Sequence, residues 1–97
     1  MLHMVFQSLN DNPILERLGS DNDVIFFEKA IFCLSKKGKF ADMLMTQFQY
    51  GNRLYVFKDD IEAGGITLDE LIVGVIVIDY ADWVDLTVQN SVIQSWT

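Results

Sequence analysis

A chain of 97 residues, 51% hydrophobic and 22% charged, has room for one domain spanning residues 1–97, which buries roughly 60–68% of the surface its unfolded form exposes. Its net charge of −7 argues against direct nucleic-acid contact, because phosphate backbones bind clustered Lys and Arg. No run approaches the roughly 20 apolar residues of a membrane span and no basic region followed by a long apolar stretch stands at the N-terminus, while a single cysteine excludes an internal disulfide; a reducing, cytoplasmic setting is expected.

In chain order, residues 1–6 read as a first strand, followed by turn chemistry from Ser8 to Pro13, with Asn12 as N-cap and Pro13 at the first helical position. The short helix over 13–18 stops at Gly19, and residues 24–27 read as a second, buried strand. Residues 30–35 and 40–48 then carry helical spacing, broken at Lys37 and Gly38. The lysines at 36, 37 and 39 suit a solvated helix end. Gly51 closes the second piece, residues 54–57 form a third strand, and residues 60–64 make a helical turn ended by Gly64 and Gly65.

The last quarter is the most informative. Residues 71–78 are apolar and largely β-branched without a charge, which predicts a fourth strand covered on both faces. Asp79 follows as an N-cap, with Asp82 at the capping-box position of a helix over 81–89. Tyr80, Trp83, Val84, Thr87 and Val88 fall at the spacing of one apolar helix face. Residues 92–96 are a short fifth strand. Strands alternating with helices predict an α/β fold of βαβ units with right-handed crossovers and a mainly parallel four- or five-stranded sheet.

The run Ile78-Asp79-Tyr80-Ala81-Asp82-Trp83-Val84-Asp85-Leu86-Thr87 resembles the Ile-Asp-Tyr-x-x-Phe-Val-x-Leu-Thr signature of the DsrH/TusB family of sulfur-relay proteins, with Trp83 in place of Phe. Met1-Leu2-His3, Asp60-Ile61-Glu62-Ala63-Gly64-Gly65-Ile66 and Gln94-Ser95-Trp96 resemble further family segments, so the likeness spans the chain. Two positions depart from it: an Asp-Gly pair usual after the second strand is Lys29-Ala30, and the Arg before Gly65 is Gly64. The resemblance implies a DsrEFH-like fold, a three-layer α/β/α sandwich, and a non-catalytic, cytoplasmic subunit of a hetero-oligomer. Its partners would be TusC/DsrF-like and TusD/DsrE-like subunits, and sulfur-carrier proteins through the complex. The sulfur would end in wobble 2-thiouridine of tRNA for the TusB branch, or serve sulfur oxidation for the DsrH branch. The 12 aromatic residues and 4 methionines independently suggest apolar surface that meets another chain.

Ligands in open α/β sheets sit beyond the carboxyl ends of the strands. That rim is expected to present Ser8 and Asn10, Glu28 and Lys29, then Lys58, Asp59 and Asp60, and finally Asp79 and Tyr80. It contains no glycine-rich phosphate loop, so no nucleotide or other cofactor is expected. Asp59 and Asp60 read as a solvated cap, and Asp79 as the cap of its helix, rather than as a Mg²⁺-holding pocket, which would need an acidic pair after the first strand. A small α/β binding module with an acidic rim stays as a third reading.

Cys33, the sole thiol, is either a small buried hydrophobe or, in the rival reading, the persulfide carrier of a sulfurtransferase. Burial selects the first, and exposure beside Lys36 or Lys37 the second. With one histidine in the chain, His3 reads as a hydrogen-bonded structural residue rather than a metal ligand, and Ser8 has no triad partners at motif spacing. Trp96 either caps the core or docks on a neighbour. The structural and interface candidates are thus His3, Asp79, Tyr80, Trp83 and Trp96.

Overall fold

The computed structural model describes residues 1–9 and 14–97; the expected rim residue Asn10 and the helix start expected at Asn12 and Pro13 lie outside them. The elements are β1 (Leu2–Val5), α1 (Ile14–Arg17), β2 (Asp23–Phe26), a 3-10 helix (Glu28–Leu34), α2 (Ala41–Gln49), β3 (Arg53–Phe57), α3 (Lys58–Gly64), a 3-10 turn (Leu68–Glu70), β4 (Ile76–Ile78), α4 (Tyr80–Gln89) and β5 (Ile93–Trp96). All strand pairs are parallel, in the order β4-β3-β2-β1-β5. The central strand β2 is buried at all four positions, which is why its Val-Ile-Phe run shows no polar alternation.

The topology decides which face each helix covers. From β1 to β4 the chain steps across the sheet in one direction, and it then returns through α4 to place β5 beside β1. Parallel crossovers keep one hand, so reversing the step places the connecting helix on the opposite face. Residues from α1, α2, α3 and the Glu28–Leu34 helix pack over Val5, Val24, Phe26, Leu54 and Val56. On the other face α4 packs over Leu2, Ile25 and Ile78. The return spans about 19 Å at the usual strand spacing, and a ten-residue helix, about 15 Å long, covers most of it.

Buried polar groups tie these layers together. Asn52 is almost wholly buried. Its side chain donates to the Gly19 carbonyl at 2.8 Å and to Gln47 Oε1 at 3.0 Å, and accepts from the Asn22 N–H at 2.9 Å. The end of α2 is thereby fixed to the turn before β2, and the amide's polarity is satisfied where water is absent.

The fourth strand departs from expectation. It is three residues long, not eight, and lies at the sheet edge rather than under cover on both faces. Leu71 and Ile72 are buried, but they pair with the Glu28–Leu34 helix region: Leu71 forms an antiparallel bridge with Ser35, and the Ile72 N–H donates to the Leu34 carbonyl at 2.9 Å. Val73 is 78% exposed. Gly74 then turns the chain at φ +105°, and a Cβ there would stand 3.0 Å from Phe48 Cζ. Both strain and crowding thus demand glycine, and the turn interrupts the apolar run before β4 begins. Gly74→Ala is expected to cost about 1–3 kcal/mol, seen as a lower urea midpoint. Val73→Ala, on the exposed side of the same turn, should change stability by under about 0.5 kcal/mol.

Candidate functional site at the carboxyl rim of the sheet

Beyond the strand ends the rim brings Ser8, Glu28, Lys29, Lys58, Asp59, Asp60, Asp79 and Tyr80 onto one end of the molecule. Glu28 follows the second strand in a left-handed conformation, φ +50°, unusual for a residue with a side chain. Its N–H donates to Asp60 Oδ2 at 2.8 Å, so Asp60 is not the solvated cap expected of it. The carboxylate holds a strained turn, linking the residue after β2 to the helix after β3.

Cys33 lies in the Glu28–Leu34 helix, 8% exposed and packed in the main core. Its Sγ accepts the Leu9 N–H at 3.5 Å, and Ser8 Oγ lies 3.9 Å away. A cavity of about 230 Å³ reaches it, lined also by Lys29, Phe32, Gly38, Lys39 and Phe40. The lysines brought to this cavity are Lys29 and Lys39, not the expected Lys36 and Lys37. No short spacing in the sequence signals the approach of Ser8 and Leu9 to a residue 24 or 25 positions later.

Gly64 shows why one departure from the family pattern is possible. A Cβ there would come within 3.2 Å of Ile31 Cδ1 and 3.3 Å of Phe32 Cζ. The absence of a side chain lets these two residues of the Glu28–Leu34 helix close on the end of α3.

Asp79 caps α4 as expected. Its Oδ1 accepts the Asp82 N–H at 2.9 Å, and Asp82 Oδ2 accepts the Asp79 N–H at 3.1 Å, a complete capping box. The backbone N–H of Asp82, foremost among several donors, holds the Asp79 carboxyl below its ordinary range.

The rotation of α4 differs from expectation. Trp83 and Leu86 face the sheet, with Asn90 just beyond the helix end, while Tyr80, Val84 and Val88 are exposed. The two helix ends set this rotation: the Asp79 cap at the start, and at the finish Asn90 Nδ2, which donates to Asp23 Oδ2 at 3.1 Å and to the Leu86 carbonyl at 2.8 Å. Trp83 is half-buried, its Nε1 3.4 Å from Met4 Sδ. Its ring centroid lies 4.8 Å from Phe27, 5.6 Å from Phe57 and 5.9 Å from Tyr80, and Phe6 stacks on Phe27 at 4.8 Å. Phe6 and Phe27 follow β1 and β2, Phe57 ends β3, and Tyr80 and Trp83 open α4, so the carboxyl end beneath that helix is an aromatic floor.

His3 is 4% exposed. Its Nδ1 accepts Trp96 Nε1–H at 3.0 Å, so the neutral imidazole carries its proton on Nε2. Burial first, then the nearby α-amino charge, lowers its pKa. Trp96 is half-buried against the main core. It lies on β5, and its bond to His3 joins that edge strand to β1.

At the opposite, amino end of the strands lies a cluster that the sequence pattern did not disclose. Asp23, 6% exposed, accepts from Arg53 Nε at 2.5 Å and Tyr55 Oη at 3.2 Å, besides Asn90. Burial raises its pKa, but the bonds from Arg53, Asn90 and Tyr55 outweigh this, and the net shift is downward. Burial and the Asp23 charge raise that of Tyr55. A signal existed: Asp23 and Arg53 carry opposite charges and each stand just before an apolar run, and the parallel register sets them side by side. Every acceptor oxygen of Asp23 is engaged by a donor, which marks the cluster as a structural clasp.

The chemistry available at the carboxyl rim is therefore one shielded thiol, two lysines around it, several carboxylates and an aromatic floor. Among the described residues no group of three or more His, Cys, Asp or Glu is placed to hold a metal ion, and no helix is long and apolar enough to cross a membrane.

Comparison with known proteins places this architecture. The MTH1491 protein of Methanobacterium thermoautotrophicum, of unknown function, superposes with a TM-score of 0.83 at 12% identity, covering 98% of this chain and 96% of that one. The ychN protein from E. coli does so with a TM-score of 0.81 at 15% identity, over 98% and 97%. These likenesses concern the fold alone. In sequence, Protein TusB of Buchnera aphidicola subsp. Baizongia pistaciae is 30% identical, over 99% of this chain and all of that protein. Protein TusB of Photorhabdus laumondii subsp. laumondii is 32% identical, over 88% and 85%. Residues 5–93 match the family model described as DsrH like protein. From β1 to the start of β5, then, the sequence follows one family pattern, and the chain belongs to the DsrH family.

Proposed function

We propose that this chain is an accessory, non-catalytic subunit of a cytoplasmic sulfur-relay complex, resembling TusB, and that it supports persulfide transfer toward wobble 2-thiouridine of tRNA. TusC/DsrF-like and TusD/DsrE-like chains are its partners, and the acceptor thiol belongs to the TusD/DsrE-like one. The observation that carries this reading is the burial of Cys33. It is the chain's sole thiol, and its sulfur is occupied by the Leu9 N–H. A relay thiol must meet the thiol of a donor protein, which a packed core residue does not do without local opening.

The competing reading, a persulfide carrier using Cys33, has the cavity flanked by Lys29 and Lys39 in its favour. One experiment separates them. The assembled complex carrying Cys33→Ala should transfer sulfur at the wild-type rate, and mass spectrometry of the wild-type subunit after incubation with a persulfide donor should find no added sulfur on Cys33. An adduct that is then lost to an acceptor protein, together with an inactive Cys33→Ala complex, would establish the carrier role instead.

A further inference from the structure

On its face of the sheet α4 buries Trp83 and Leu86 and leaves an apolar stripe uncovered. Tyr80, Val84 and Val88 are 67%, 40% and 79% exposed. They recur at i, i+4 and i+8, which aligns them on the solvent side over about 12 Å. The apolar surface continues on that side of the sheet at both edges, where Ile76 and Ile93 are 48% and 43% exposed. The register places these two beside Tyr55 and Leu2, which belong to the core under α4. Single exposed apolar residues are ordinary, whereas an aligned stripe continued along a sheet marks an interaction surface.

Charge selects what covers it. Of the eight Asp and Glu residues beyond Arg53, Asp79, Asp82 and Asp85 stand on α4 or cap it, while Lys58, the one cation of that stretch, opens α3 over the opposite face of the sheet. Asp85 borders the stripe, and α4 carries no cation. A second copy laid on this face would bring carboxylates against carboxylates, which costs affinity. A basic partner meets the opposite condition. We propose that the outer face of α4 docks a different protein chain, whose apolar contact surface is rimmed by lysine and arginine. This deepens the reading of the chain as a subunit by naming its docking surface, and it rests on that reading for the partner's identity.

The test uses two synthetic amphipathic helical peptides with the same leucine face, one flanked by lysines and the other by glutamates. The lysine peptide should shift the amide resonances of α4, the glutamate peptide should not, and added salt should weaken the effect. Val84→Lys should weaken binding about tenfold or more, while Leu68→Lys, at an exposed site outside α4, should leave it unchanged. Val84 is solvent-facing, so an unchanged urea midpoint confirms that the variant folds.

Equal response to both peptides, or shifts away from α4, would overturn the proposal. So would a homodimer of the isolated chain that Val84→Glu dissolves, because the occupant would then be a second copy. Co-expression with the TusC-like and TusD-like chains separates the two readings. A complex indifferent to Val84→Lys overturns the docking surface and leaves the subunit role standing. Selective binding of the lysine peptide at α4 without any such complex supports the surface and removes the subunit role.

Discussion

Replacing Asp23 with alanine is expected to destabilise the protein by about 3 kcal/mol, since hydrogen bonds to a charged group contribute about 1.5–3 kcal/mol each and three donors lose their acceptor. The loss stays near that figure rather than the sum of three bonds because Arg53 is half-exposed and regains water. Asp23→Asn keeps the shape but gives up the charge and one acceptor oxygen, and should fall between the two. Urea denaturation at neutral pH measures both. An Asp23→Ala protein as stable as wild type would show that the clasp contributes nothing net.

The same clasp governs the response to acid, with His3 acting at higher pH. His3 titrates below its ordinary 6.5 when folded, so the unfolded chain takes up that proton first. Its contribution is complete above pH 6.5 and declines as the pH falls from there to the folded value. Asp23 titrates below its ordinary 3.8 when folded. Its contribution is present above pH 3.8 and is lost as the pH falls through the lower folded value. Stability should therefore decline in two stages on acidification, and Asp23→Asn should shrink the second, which the lowered carboxyl of Asp79 shares. Denaturation midpoints collected from pH 7 to pH 2 resolve the stages.

Trp83→Ala should cost about 3 kcal/mol, the lower end of the range for truncating a large buried aromatic, because the ring is half-buried. The substitution removes the centre of the Phe27, Phe57 and Tyr80 ring contacts and loosens the first turn of α4 from the sheet. Trp83→Phe retains most of the apolar contact and gives up the Nε1 contact to Met4 Sδ. It should cost less than about 1.5 kcal/mol, as swaps that nearly conserve volume do. Equal losses for the two variants would mean that the indole N–H, not the ring packing, secures α4.

Local chemistry written in consecutive residues was legible without the fold. The Asp79 and Asp82 capping box operates within four residues, and the apolar run of β2 needs no partner to declare itself. The alternation of strands and helices limited the architecture to a parallel sheet covered on both faces, and the family motif followed from short segments of unbroken sequence. The break at Lys37 and Gly38 was legible for the same reason.

What depended on residues far apart in the chain was decided only by tertiary structure. The run over 71–78 read as one strand because periodicity reports burial without saying against what. Its first two residues are buried by the Glu28–Leu34 helix, and the ring of Phe48 crowds the Gly74 turn. The rotation of α4 turned on Asn90 meeting Asp23, 67 residues earlier, so an apolar stripe that looked like core became surface. Cys33 received its hydrogen-bond donor from Leu9, and its neighbouring lysines proved to be Lys29 and Lys39, because strand order and helix packing, not sequence distance, bring side chains together. The sequence by itself determined the order of helices and strands and which family pattern they follow; the tertiary structure decided where β4 begins and which apolar residues are covered, because burial is a property of two surfaces and a local pattern describes one.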